Sequence, residues 1–591
     1  MKIAFARIAL AATLLAAVPT AFAQGAAERL RALGEEMVER EYDLVPGLET
    51  YVDGAGPRAG RTVIDLTASS GDRYRALYAD VLKRLDAIPV EGLSDTDRLS
   101  HALLRRRATA EAARHEFPML RALGQATPIR NVAGLLVRIG SSSQSLKTEA
   151  DFEAWRARVE ATSATFDDAI AQLKAAAEVG WTSPRSLVTA TLAQVEPMAA
   201  KGAEEGPFWG MLRSYPKEAG EEKRAAFERR YRATLEERLL PAMRRYAKFL
   251  RDDYLKVART TSGIGALPGG DRAYRALIRA NTTLDLTPEE VHALGLSEVA
   301  RIRAKLLEVA RGLGFKGEMR EFSAWVDGNP ANYPFSSSED VLAYLRGVHA
   351  RVVPGLPKLF RTLPRSDFEI RLTPAAIAAS ASATYSRPSP DGKRPGVFHI
   401  PVVDPRKTAA FSLTALLLHE GMPGHHLDIA RVVEMDQPRF RKVSSLTVYS
   451  EGWGLYAESL GHELGVYDDP WALLGRYSGE LHRAARLVVD TGMHWKGWSR
   501  EQAIRYLVEE RGQTERGATV AIERYMSDPG QALAYKVGEL EIMRLREEAR
   551  KALGERFDLR DFHEVVLGDG QLSIDLLRTR VRAWIARTKA A

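Results

Sequence analysis

Three of the twelve histidines stand inside one short stretch, His419-Glu420-Gly421-Met422-Pro423-Gly424-His425-His426. Neutral imidazoles are ligands for a divalent metal, and a carboxylate beside an open coordination position can take a proton from water. His419 is therefore a candidate first ligand and Glu420 a candidate general base. The spacing is not that of two ligands at i and i+4 on one helical face, because the fourth residue after His419 is Pro423. An unbroken helix would turn His425 about 120° away from His419 and carry His426 about 10 Å along the axis. Pro423-Gly424 must therefore break the helix for a second histidine to return. His425 is the preferred second ligand, with His426 the open alternative. A third ligand has to come from another element, and Glu451, flanked by Ser450 and Gly452, has the small neighbours that allow a close backbone approach. Glu458 lies two turns further on nearly the same face, and Asp428 follows the histidine pair; both are candidates to orient an imidazole. Nitrogen and carboxylate donors without a thiolate point to zinc, one per chain, although manganese, iron or cobalt would also fit.

These residues need rigid elements. Residues 413–418 form an apolar helical run that ends on His419, and the helical period continues to the C-terminus with turns at Asp468-Asp469-Pro470 and Asp528-Pro529-Gly530. Residues 26–257 also read as a helical array, as in Phe152, Trp155 and Val159 or Phe227, Tyr231, Leu235 and Leu239. Thr287 and Ser337 each precede acidic first-turn residues and read as helix starts. β-branched and aromatic residues make strands of residues 368–372 and 396–400, and the run through 403 offers main chain to which a peptide could add as an extra strand. The Pro- and Gly-bearing stretch at 261–270 divides an N-terminal helical region, 24–270, from a metal-site-bearing region, 271–591, unless both form one continuous body.

Lys2 and Arg7 flank an apolar run over residues 8–18, followed by Ala21-Phe22-Ala23. This is the pattern of a signal peptide, 1–23, cleaved after Ala23, and implies a periplasmic or secreted protein with no stable membrane insertion after cleavage. The absence of cysteine excludes disulfides and an N-terminal thioether-linked lipid. The 84 basic and 77 acidic residues are interspersed, so the net charge of +7 reads as a solvated surface and not as a nucleic-acid footprint.

The sequence resembles the bacterial family catalogued as domain of unknown function 885. The resemblance rests on Tyr385 with Pro388, on Asp391-Gly392 and Arg394-Pro395-Gly396, and on the stretch from His419 to His426. Further along it rests on Glu451-Gly452-Trp453, on Arg486 to His494 with Lys496-Gly497-Trp498, and on Pro529-Gly530-Gln531 through Tyr535-Lys536-Val537-Gly538. That family is regarded as related to the gluzincin metallopeptidases, among them angiotensin-converting enzyme, thimet oligopeptidase and carboxypeptidase Taq. The resemblance implies a mostly α, large helical metallopeptidase-like body with a deep substrate groove, zinc at its floor and a short strand lining the substrate path. It matches His419 to the first ligand, Glu420 to the base and Glu451 to the third ligand. It also implies a later His or Tyr donating to the developing oxyanion, a role for which His494, Tyr525 and Tyr535 stand in order. Arg486, Lys536 and Arg544 are candidates to bind a substrate carboxylate. The expectation is an exported zinc-dependent hydrolase acting on peptides. The alternatives are a hydrolase of non-peptide amides or esters, and a non-catalytic peptide- or metal-binding protein.

Overall fold

The computed structural model describes residues 25–590 apart from 54–55, 143, 145, 375–377, 379–381, 391, 393 and 444. The expected signal peptide, 1–23, and Asp391 lie outside the described residues. Helices make up 72 % of the protein, and among the described residues the strands are three short segments, so the fold is mostly α. None of the described helices is long and apolar enough to cross a membrane. The helix starts at Thr287 and Ser337 are both capping boxes, with the hydroxyl accepting from the third helical N–H and the acid there reaching back to the cap.

Packing crosses the 261–270 stretch. One apolar core joins residues 26–108 to residues 335–585 and includes Leu417, Leu418, Leu427 and Trp453 around the histidine stretch. Another joins Ala176 and Trp181 to Ile264, Val448, Leu487, Leu533 and Val537. The site helices are therefore held from both sides by dry contacts.

Strands β1 (Phe368–Leu372), β2 (Thr384–Ser386) and β3 (Gly396–Ile400) form one sheet in the order β1-β3-β2. β3 runs parallel to β1 and antiparallel to β2, with Phe398 opposite both Ile370 and Tyr385. This corrects the expectation that the 396–403 segment adds a peptide strand: β3 is central, both its edges are already paired, and it ends at Ile400.

The site is built on helices α1 (Leu413–Glu420), α2 (His425–Glu434), α3 (Thr447–Ser459), α4 (Pro470–His494), α5 (Arg500–Arg511), α6 (Glu515–Ser527) and α7 (Ala534–Leu553). α3 and α7 cross at two glycines. A Cβ on Gly452 would lie 2.5 Å from the Gly538 Cα, and one on Gly538 would collide with the Val448 carbonyl oxygen. α7 is tied to α4 and to the helix Pro288–Gly312 by Lys536, which is fully buried among Glu298 at 3.0 Å, Glu480 at 2.7 Å and Glu539 at 2.5 Å. Lys536 is thus a structural counter-ion and not a substrate-binding residue. Replacing it with Met should leave Glu539 buried without its cation, while Arg301 still pairs Glu298 and Glu480, and cost about 3–5 kcal/mol in denaturant unfolding; a loss below about 1 kcal/mol would contradict that role.

Candidate metal centre

α1 delivers His419 and Glu420 in its last turn and stops at Gly421, whose N–H still donates to the Leu417 carbonyl. The Met422–Pro423 peptide bond is cis, and α2 begins at His425. Gly424 is confined to a space only glycine fills, because a Cβ there would collide with the carbonyl oxygens of Leu418 and His419. Trp453 fixes the turn from outside, its Nε1–H donating to the Pro423 carbonyl at 2.9 Å. The break expected from Pro423-Gly424 is therefore present, and it folds His425 back until its ring lies 4.7 Å from that of His419, at 80°.

α3 brings Glu451 to the same point. Gly454 makes the approach possible, since a Cβ at that position would sit 2.8–3.0 Å from three atoms of the His419 ring. The small neighbours of Glu451 thus have separate tasks: Gly454 admits the first histidine, and Gly452 admits α7.

The Glu451 Oε2 lies 3.4 Å from His419 Nε2 and 3.5 Å from His425 Nε2. All three donor atoms fall within 4.8 Å of one another. Metal–ligand bonds of about 2.0–2.2 Å place tetrahedral corners roughly 3.3–3.6 Å apart, so the two measured separations fit zinc without rearrangement. His419 Nδ1 is hydrogen-bonded to Glu458 Oε1 at 2.9 Å, which turns Nε2 toward the shared point. Burial disfavours a charged His419, but Glu451 and Glu458 outweigh it and raise its pKa to about 9. Glu451 resists burial through the two histidines, which hold its carboxyl well below the usual range. The point between these groups therefore attracts a cation strongly. The Glu451 side chain is 21 % exposed, so solvent reaches that point.

Glu420 is buried beside the donors. Burial pushes its carboxyl up, with His425 and His419 pulling in the opposite direction. Asp428 does not bond an imidazole directly: it accepts from Gln571 Nε2 at 2.9 Å and from Ser450, whose hydroxyl lies 3.4 Å from His425 Nδ1. It reaches the second ligand through that serine. Tyr535 on α7 stacks on His419 with ring centroids 6.3 Å apart and 15° between planes, which sets its ring beside the site.

Four expected assignments are corrected. His426 is not a ligand, because its Nε2–H donates to the Ser366 carbonyl at 2.9 Å and its Nδ1 accepts from the Tyr385 hydroxyl at 2.8 Å. Burial lowers its pKa to about 4, which keeps the ring neutral for this role. His494 is not an oxyanion donor: its Nδ1 accepts from the Ile264 N–H at 3.1 Å and its Nε2–H donates to the Tyr525 carbonyl at 3.2 Å. The Tyr525 hydroxyl is occupied by Arg486 Nε at 3.0 Å and His482 Nε2 at 3.3 Å, so it positions an arginine. Arg544 pairs on its own helix with Glu541 and Glu548 on the protein surface. Arg486, by contrast, is buried and lies over the Tyr535 ring at 4.3 Å.

Sequence reasoning missed Ser450, Gly454, His482, Arg483, Arg511 and Arg524. Arg483 and Arg486 share a face of α4 at i, i+3, which was a readable signal; nothing local marks Arg511 or Arg524 as their neighbours. Two surface cavities of about 300 and 450 Å³ border α5, lined by residues such as Trp498 and Tyr506 or Arg303 and Glu510, and neither includes a metal donor.

Among the solved structures that match, two are alike over nearly the whole chain. The protein described as the putative lipoprotein from Colwellia psychrerythraea superposes with a TM-score of 0.89 at 27 % identity, covering 95 % of this chain and 99 % of its own. A putative lipoprotein of unknown function from Shewanella oneidensis gives 0.70 at 17 % identity, covering 93 % and 98 %, a likeness of fold alone. A search of curated proteins returns no match. The family described as bacterial protein of unknown function, DUF885, matches residues 48–581. That span takes in the helical N-terminal half, the sheet and every metal donor, and this chain belongs to the DUF885 family.

Proposed function

We propose that this protein is an exported zinc-dependent hydrolase that cleaves peptide bonds. The observation that carries the proposal is the trio His419 Nε2, His425 Nε2 and Glu451 Oε2, within 4.8 Å of one another and with both histidine–glutamate separations those of tetrahedral corners, beside a buried, otherwise unassigned carboxylate, Glu420. The resemblance to the gluzincin metallopeptidases and the description of two structural neighbours as lipoproteins support the chemistry and the exported location respectively.

A zinc ion held by the trio would supply a Lewis acid that polarises the substrate carbonyl and acidifies a water. Glu420 accepts the proton of the attacking water and returns it to the departing amine, so one water is consumed and a carboxylate and an amine are released. Burial favours the protonated form that the second half of this cycle needs. Glu458 holds His419 in the tautomer that leaves Nε2 free. Tyr535, stacked on His419, is the donor placed to meet charge developing on the carbonyl oxygen.

Digestion of a mixed peptide library with and without chelator, read by mass spectrometry, tests the proposal. Cleavage that stops with chelator and returns with zinc is expected. Zinc binding with no peptide cleavage would move the reading to non-peptide amides or esters, or to a binding protein. Glu458→Ala should weaken zinc affinity about 10–100-fold in a chelator competition while leaving one site per chain; an unchanged affinity would remove Glu458 from the site.

A further inference from the structure

Next to the candidate metal donors the protein gathers more buried positive charge than it pairs. Arg483 and Arg486 on α4, Arg511 at the end of α5 and Arg524 on α6 gather around His482 and the two tyrosines 525 and 535. Arg486 sits at the centre, 6 % exposed, with its guanidinium 4.3 Å from the Tyr535 ring centroid and 5.6 Å from that of Tyr525. The other arginines crowd the same space: burial, then Arg511, Arg486, Arg483 and Arg524 together, hold His482 well below its ordinary value. Burial, with Arg483 and Arg486 adding to it, also lowers Arg511 to about 10.

The polar atoms left over are mainly guanidinium donors, beside one carboxylate acceptor, Glu458 Oε2. Arg486 Nη1, Arg483 Nε, Arg511 Nε and His482 Nδ1 are all buried without a hydrogen-bond partner. His482 Nε2 is engaged by the Tyr525 hydroxyl at 3.3 Å, so Nδ1 is the ring nitrogen left over. Arg483 reaches Glu458 at 3.3 Å, but that carboxylate already serves His419. Arg524 contacts Ser382 Oγ at 3.4 Å, and among the described residues no carboxylate pairs with Arg486, Arg511 or Arg524. Buried cations and donors in this state are costly, and the group that would satisfy them is an anion with several acceptor lone pairs. A carboxylate matches the planar guanidinium fork in two parallel hydrogen bonds.

The cluster is close to the reacting centre. The Tyr535 ring is shared, with His419 stacked 6.3 Å away and Arg486 4.3 Å away, so Arg486 is no farther from His419 than those two steps end to end. An extended residue spans about 3.3–3.6 Å, so this separation is a few residues of peptide. We propose that the Arg486 cluster binds a carboxylate of the substrate within a few residues of the bond that is cut, supplied by the peptide's C-terminus or by an acidic side chain. The position of the cut bond rests on the hydrolase reading; the carboxylate site itself does not.

The test is calorimetric binding to full-length protein carrying Glu420→Gln, so that peptides stay intact. Three probes are compared: N-acetyl-pentaalanine as the free acid, the same peptide as its C-terminal amide, and N-acetyl-Ala-Ala-Glu-Ala-Ala amide. At least one charged probe should bind about tenfold or more tightly than the uncharged amide, and adding Arg486→Gln should abolish that preference, with Arg511→Gln as a second variant that reduces it. Preference for the free acid assigns the C-terminal carboxylate, and preference for the glutamate peptide assigns an acidic side chain. Equal or undetectable binding of all three, or a preference that survives both substitutions in folded protein, overturns the proposal. Carboxylate-dependent binding by a wild-type protein that cuts no peptide would remove the peptidase reading and leave this site standing.

Discussion

Glu420→Gln is expected to keep one zinc per chain and to lower peptide turnover about 10²–10⁴-fold, the usual contribution of a positioned general base. Glutamine has nearly the shape of glutamate but cannot take a proton, so the substitution separates base chemistry from packing. Glu420 lies at the end of α1 immediately after His419, yet it is not one of the three clustered donors. Its removal should therefore spare metal binding. Burial favours its neutral form, so the amide is tolerated better there than at an exposed ion pair. Kinetics on a peptide found in the library digestion, with elemental analysis of the same preparation, would check this. Full activity with bound zinc would exclude Glu420 as the base.

The second large effect separates two adjacent residues. His425→Ala should empty the metal site and abolish turnover, because His425 supplies one of three clustered donors and its Nε2 lies 3.5 Å from Glu451. His426→Ala should retain zinc and lose stability instead. Its ring links α2 to the Ser366 carbonyl and to Tyr385 of β2, and packs 4.8 Å from Phe368 of β1. Leaving a buried hydroxyl and carbonyl without partners costs about 1–3 kcal/mol for a single unsatisfied group, which denaturant unfolding would read. Zinc loss in the His426 variant with zinc retained in the His425 variant would reverse the ligand assignment.

Tyr385 shows why that pair could not be separated from local sequence. His425 and His426 are chemically identical and consecutive, and the difference between them is made by a strand far back in the chain. Gly396 is part of the same device, since a Cβ there would collide with the Tyr385 hydroxyl that reaches His426. β2 itself has three residues, too few to show an alternating pattern, and its omission is what made β3 look like a free edge. His494 and Lys536 illustrate the opposite error. Both are residue types that do chemistry, but distant partners, Ile264 for one and Glu298 for the other, occupy them. The legible part was local: an apolar helix ending in His-Glu, a Pro-Gly break, and Glu451 and Glu458 two turns apart on one helix. Helical period is enough to put these on facing surfaces. The arginines around Tyr525 come from three separate helices and meet only in the folded protein.

The central claim is that His419, His425 and Glu451 hold one zinc. An anomalous difference map at the zinc absorption edge, from crystals of the zinc-supplied protein, tests it most directly. The account predicts one strong peak per chain, about 2.0–2.2 Å from His419 Nε2, His425 Nε2 and a Glu451 carboxylate oxygen, with the His426 ring still bonded to Tyr385 and Ser366. No peak at that point in zinc-supplied crystals, or a peak coordinated by His426 in place of His425, would contradict it.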